Sequence, residues 1–146
     1  MTGRIYSVGY EGMTLPGLVE RLAAAQVSVV IDVRLNPISR RPGFSRRRLA
    51  EGLAAAGINY VHEKELGNPQ DNRDSFRDGD GQDGRARMRA ILTHNARSAM
   101  ERVVSLASDQ RVALLCVERE HERCHRGVIA DVAVEHNPAI EVLRML

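Results

Sequence analysis

VALLCVEREHERCHRGVIAD (112–131) is the stretch that decides the fold. Val112 to Val117 is a short apolar run, partly β-branched and bounded by polar residues, as in a strand buried on both faces of a parallel sheet. The run stops at Glu118 and gives way to charged residues. Cys124-His125-Arg126 then leads into Val128, Ile129, Val132 and Ala133, whose spacing marks one apolar helix face. The order is strand, polar loop, helix. Both cysteines lie here, one at the strand end and one at the helix start. Unpaired N–H groups and the positive dipole end of a helix favour anions and lower a thiol pKa.

Working outward, Arg4–Val8 reads as a first strand, closed by Gly9-Tyr10-Glu11-Gly12. Two glycines around a polar pair suggest a turn that brings backbone close to a neighbour. Thr14 caps a helix whose stripe is Leu15, Leu18, Val19 and Leu22. Val27–Val33 is a second strand, ending in Asp32-Val33-Arg34. Prolines and glycine keep 35–44 out of helix interior and central strand. Ser45 is the expected N-cap of a helix over 46–56, with Gly57 just past its end. Ile58–His62 is a third strand. Residues 68–85 are poor in apolar side chains and read as a long irregular loop. Apolar residues from Met88 to Leu106 give one long helix, or two with a break near Asn95. Ile140–Met145 is a fifth strand.

This order predicts one α/β domain over 1–146, three-layered, with a mostly parallel sheet of about five strands and helices on both faces. Ligands of such sheets bind beyond the carboxyl ends of the strands. The polar residues collect at that rim: Tyr10 and Glu11, Asp32 and Arg34, His62 and Glu63, Cys116 and Glu118.

The chain has 146 residues, a net charge of +2 and 43% apolar residues. That suits one domain with a real core and does not announce a nucleic-acid binder. No apolar run reaches the length of a membrane span and no signal pattern opens the chain, so a cytoplasmic protein without membrane contact is expected. In such a compartment two cysteines read as reduced, catalytic or metal-binding rather than disulfide-bonded. Lys64 is the only lysine; the other bases are arginine, the better bidentate partner for phosphate and carboxylate.

Cys124, beside His125 and Arg126 at a helix start, has the surroundings that stabilise a thiolate; its alternative is a small packed side chain. Cys116, inside an apolar run, reads first as a buried thiol and second as part of a ligand site. Glu118 is a candidate base, or the holder of Arg126 or Arg34 in a bidentate pair. Asp32 and Arg34 could pair with each other or serve the site, and His62 is a candidate for proton transfer or an ordinary rim histidine. Arg40, Arg41 and Arg46–Arg48 form the one dense basic patch, with Phe44 its only aromatic.

The leading expectation is an anionic, phosphate-bearing ligand (a nucleotide or nucleic-acid end) held by Arg34, Arg40, Arg41 and Arg126, with Tyr10, Glu11 and Cys116 at the site. Cys124 would be the nucleophile, and Glu118, His125, His62 and Asp32 the acid–base groups. No cofactor is assigned. One alternative is a non-catalytic nucleotide or nucleic-acid binding module on the Arg40–Arg48 patch. Another is a metal site at Cys116, Glu118, Cys124 and His125, with His62 a further donor, although seven residues between the cysteines is not the short spacing of structural zinc sites.

YSVGYEG (6–12), IDVRLNPISRRPGF (31–44), YVHEKELG (60–67) and LLCVEREHERCHRGVIAD (114–131) together resemble the DUF488 family. That resemblance implies an α/β fold and no established activity. The DVR ending of one strand and the cysteine after a later one are also distantly similar to rhodanese domains. The C-x-x-G-x-R loop of those enzymes is absent, so rhodanese activity is not carried over.

Overall fold

The structure, a computed structural model, describes residues 3–77 and 81–145. Alternate residues along each inner strand feed two different cores. Ile5, Val29, Ile31, Val112, Leu114 and Cys116 point to one face; Tyr6, Val8, Val30, Ala113 and Leu115 point to the other. This two-sided burial is why the strand sequences run nearly unbroken in apolar residues.

The elements are β1 (Arg4–Gly9), α1 (Leu15–Ala24), β2 (Val29–Asp32), α2 (Arg46–Ala55), β3 (Asn59–His62), α3 (Arg73–Arg77), α4 (Gln82–Thr93), α5 (Arg97–Asp109), β4 (Arg111–Cys116), α6 (Arg126–His136) and β5 (Glu141–Met145). The sheet order is β3-β2-β4-β1-β5, and every pair is parallel, with Val29 and Ile5 flanking Val112 across the centre. Leu18 and Leu22 of α1 and Leu49 and Leu53 of α2 cover one face. Met88 and Leu92 of α4, Met100 and Val103 of α5, and Val128, Ile129 and Val132 of α6 cover the other.

This division fixes the site. The helices leaving β1 and β2 lie on one face, and those leaving β3 and β4 on the opposite one. Where the direction reverses, beyond the ends of β2, β4 and β1, the departing chains diverge and leave a crevice.

Most local signals act as read. Thr14 accepts a hydrogen bond from the Gly17 N–H at 3.1 Å, and Gly57 has a left-handed φ of 75°. Two expectations are corrected. Ser45 makes no side-chain cap to α2; its Oγ accepts from the Ser39 N–H at 3.0 Å and donates to the Ser39 carbonyl at 3.2 Å, closing the loop before the helix. Residues 68–85 are not an irregular loop but mostly short helical turns: a 3-10 turn at Gln70–Asn72, then α3, with α4 starting at Gln82. Residues 78–80 of that span lie outside the described residues. Two anchors replace the missing apolar stripe. Phe76 is buried, and Asn72 donates to the Asn68 Oδ1 and the Gly84 carbonyl. The break between α4 and α5 falls at His94–Ala96.

Gly9 meets the close approach expected of its turn. A Cβ there would lie 1.7 Å from the Glu118 carbonyl oxygen. Gly9→Ala therefore has to push the segment after β4 off β1. We expect it to cost about 1–3 kcal/mol or more, read as a lower urea midpoint with an unchanged m-value.

Candidate functional site

Asp32 ends β2 with no exposure, so its charge requires a partner. Arg34 supplies it through a two-pronged contact, Nε to Oδ1 at 2.8 Å and Nη2 to Oδ2 at 2.7 Å. The same guanidinium donates to the Tyr10 hydroxyl at 3.2 Å and the Phe44 carbonyl at 2.6 Å. Tyr10 stacks on Phe44 with ring centres 4.4 Å apart. Tyr60 donates its hydroxyl proton to Asp32 at 2.5 Å, and His62 donates from Nε2 to the Arg34 carbonyl at 2.8 Å. Burial opposes the Arg34 charge, but Asp32 overcomes it and holds the guanidinium protonated above its ordinary range. Burial, then the Asp32 carboxylate, pushes the Tyr60 phenol up. These residues form a knot tying β1, β2, β3 and the 35–45 loop together. Glu118 does not pair with Arg34 as one reading had it, because Asp32 already occupies that guanidinium.

The second assembly lies across the crevice. Arg126 opens α6 and is fully buried. Its Nε donates to the Ser7 Oγ at 2.9 Å and its Nη1 to the Glu118 carbonyl at 2.6 Å. Glu118 thus holds Arg126 through its backbone, not through the bidentate carboxylate pair expected. Nη2 is buried without a hydrogen-bond partner, and no carboxylate among the described residues forms a salt bridge with this arginine. His121 shares the Ser7 Oγ at 2.6 Å. Burial and the charges of Arg144 and Arg126 lower its pKa.

Cys124 and Cys116 are both reduced and buried, and their sulfurs lie within 4.8 Å of each other and of a His125 ring nitrogen. His125 Nε2 is 2.8 Å from the Val33 carbonyl, and its Nδ1 is 3.5 Å from the Cys124 Sγ. A carbonyl only accepts, so Nε2 carries a proton there, and Nδ1 faces the thiol. Burial pushes Cys124 up. The Cys116 thiol, the Arg126 charge and the Arg126 backbone N–H outweigh it, while the Glu118 carboxylate opposes them; the net shift is down. Cys116 moves the other way, through its interaction with the Cys124 sulfur and its burial. The opposite shifts mean that Cys124 ionises ahead of Cys116.

Both sulfurs line a pocket of about 190 Å³ at the crevice. Arg34, Leu35, Asn36 and Ile38 come from the segment after β2. Asn68, Arg73 and Phe76 come from the turns after β3. Val117, Glu118, Arg123 and His125 complete the wall after β4. The structure thus brings together Cys116, Glu118, Cys124, His125 and Arg34 from the expected set. Tyr10 and Asp32 are locked in the knot beneath, and His62 does not line the pocket. Glu11 and Arg40 are exposed and away from it; Arg41 is exposed and donates to the Met13 carbonyl at 2.9 Å. Sequence reasoning missed Asn36, Asn68, Arg73, Phe76, Arg123 and the Ser7–His121 support. Only the DVR-x-N spacing, which carries Asn36 to the same rim as Arg34, hinted at any of them.

Cys116, Cys124 and His125 could also offer three ligand atoms to a soft metal ion. The Val33 carbonyl orients the imidazole as such ligands are usually oriented. Among the described residues, no helix is long and apolar enough to cross a membrane.

Fold and site together define an α/β protein with a paired-thiol, histidine-flanked pocket at the carboxyl rim of a parallel sheet. A family model described as "Domain of unknown function DUF488" matches residues 14–133, and the chain belongs to that family. No curated protein and no solved structure matches it, and nothing in these comparisons carries the rhodanese-like resemblance.

Two measurements check this electrostatic account. Asp32→Ala leaves a buried guanidinium without its counter-charge and should cost about 3–5 kcal/mol, against about 1 kcal/mol for Tyr60→Phe, by urea unfolding. Because the folded protein lowers the Cys124 pKa, thiolate should persist as pH falls below the free-cysteine value of about 8.5. The alkylation rate of Cys124 in native protein should then reach its half-point below that pH, and Cys116→Ala should move it back up.

Proposed function

We propose that this protein is a thiol-dependent enzyme of the cytoplasm that acts on a small anionic, phosphate-bearing substrate in the β2–β4 crevice. The observation that carries this reading is the meeting of Cys124 and His125 with Arg34, Arg73 and Arg123 around one pocket. Cys124 is the nucleophile. His125 takes the thiol proton on Nδ1, steadied by the Val33 carbonyl. The Arg126 N–H and the helix start hold the thiolate. Arg73 and Arg123 stand at the rim, where forked donors suit phosphate oxygens; Arg123 also touches Glu120 at 3.1 Å, in an exposed contact that an anion can displace. Asn36 and Asn68 add neutral donors. His125 can return the thiol proton to the leaving group, and Glu118 lines the same pocket as a further proton-transfer group. Arg34 supports the site chiefly by shaping its wall, since Asp32 neutralises it and most of its donors are committed to the knot.

Binding of a nucleic-acid end through the Arg40–Arg48 patch is less favoured, because Arg40 and Arg41 do not line the pocket that holds Cys124 and His125.

Two alkylating agents that differ only in charge test the proposal. Iodoacetate should modify Cys124 faster, relative to iodoacetamide, than it does a free thiol. The preference should shrink with salt and in Arg73→Gln and Arg123→Gln, by roughly tenfold for about 1.4 kcal/mol of lost anion contact. Inorganic phosphate should protect against both agents. An unfolded-like ratio in the native wild type would end the anionic-substrate reading.

A further inference from the structure

Cys116 lowers the pKa of Cys124 but takes no covalent part in the reaction proposed above. Cys116 ends the central strand of the sheet, where β1 and β2 fix its backbone on either side. Cys124 ends the 117–123 segment, most of which is exposed. One sulfur therefore sits at the end of the central strand and the other just before α6, joined by seven residues whose side chains are mostly exposed. Their separation, within 4.8 Å, has to close to about 2 Å for a bond, which a rotamer change and a small shift of that segment can supply. Both sulfurs face the pocket and so the same incoming reagent. Val117 and Ile38, the exposed large apolar side chains of the described residues, stand at its mouth, so a neutral reagent with an apolar group also finds a surface there.

We infer that Cys116 and Cys124 form a two-cysteine redox centre that reduces a hydroperoxide, with Cys124 attacking and Cys116 resolving. In the first step the Cys124 thiolate attacks the outer oxygen of the peroxide. The O–O bond breaks, an S–O bond forms, and the departing alkoxide or hydroxide takes from His125 Nδ1 the proton that the Cys124 thiol gave up, leaving as alcohol or water. The sulfur is oxidised to the sulfenic acid and the peroxide is reduced. The fully buried Arg126, which forms no salt bridge with a carboxylate among the described residues, favours negative charge on the attacking sulfur. In the second step the Cys116 sulfur attacks the Cys124 sulfur, water departs and a disulfide forms; the Cys116 proton goes into that water, with His125 Nδ1 within reach as relay. A dithiol or two equivalents of a small thiol return the pair to the reduced form by exchange.

This inference rests on the reactivity of Cys124 proposed above, but not on the anionic substrate. The chemistry answers a constraint of the site: a thiolate in a pocket open to peroxide would otherwise pass to the irreversible sulfinic acid. Cys116 intercepts it one step earlier.

The test takes the full chain, reduced and freed of metal, adds one equivalent of hydrogen peroxide, and blocks remaining thiols with maleimide before intact-mass and peptide analysis. The wild type should lose both free thiols without gaining oxygen, remain monomeric in the product, and regain both thiols with dithiothreitol. Cys116→Ser, checked for native circular dichroism, should stop at a Cys124 sulfenic acid trapped by dimedone and then accumulate sulfinic acid. Wild-type protein that keeps both thiols, or that forms sulfinic acid at the rate of Cys116→Ser, overturns the inference. So does protein isolated with one equivalent of zinc that holds both sulfurs through the treatment. The same samples separate the two readings. A low-pH half-point for Cys124 alkylation with no disulfide ends the redox centre and leaves the nucleophile standing. Absence of that half-point ends the nucleophile itself.

Discussion

The rest of the site depends on one buried ion pair. Asp32 and Arg34 are alternate residues at a strand end, so they share a face. Neither can be removed from water alone without a penalty of several kcal/mol. Their union organises four segments. Through the guanidinium it fixes Tyr10 and the Phe44 carbonyl. Through the carboxylate it fixes Tyr60, and through the Arg34 carbonyl, His62. The 35–38 wall of the pocket hangs directly from this knot, which explains how a segment with prolines and no regular structure can present a defined surface.

Across the crevice a different balance holds. Arg126 is buried with two neutral acceptors and one unpartnered nitrogen. A cation so placed lacks a carboxylate and favours negative charge nearby. The Cys124 sulfur is the group that responds. The two sides of the pocket thus differ in kind: one arginine is neutralised and structural, the other has no salt bridge to a carboxylate among the described residues and lies beside the Cys124 sulfur. The Ser7 hydroxyl, shared between Arg126 and His121, places that second arginine from the central strand β1.

Much of the architecture was legible in the sequence. The largely apolar runs at 27–33 and 112–117 declared buried parallel strands because burial on both faces erases alternation. The two cysteines, Glu118 and His125 declared themselves by lying at a strand end and a helix start. What stayed hidden has physical reasons. Residues 68–77 fold as short turns held by Asn72 and Phe76, with no period for pattern reading to find, so Asn68 and Arg73 could not be placed at the pocket. The Arg40–Arg48 patch is dense in sequence, but α2 turns its arginines to solvent while Leu49 and Leu53 face the core. Density along the chain therefore said little about proximity in space. The Ser7–His121–Arg126 contacts span more than a hundred residues and leave no local trace.

The sheet order has a consequence for the chain as it leaves the ribosome. β4 lies between β1 and β2, so the first two strands, though neighbours in sequence, have no ladder with each other and wait for residues 111–116. Such non-local pairing makes closure late and slow. Until then the open edges of the early strands face one another across an unfilled gap, a state prone to wrong association. The strand that fills the gap also carries the first cysteine, and the second follows eight residues later. The Cys116–Cys124–His125 cluster is therefore assembled only when the sheet closes, so a nascent chain cannot present it before it owns the fold around it.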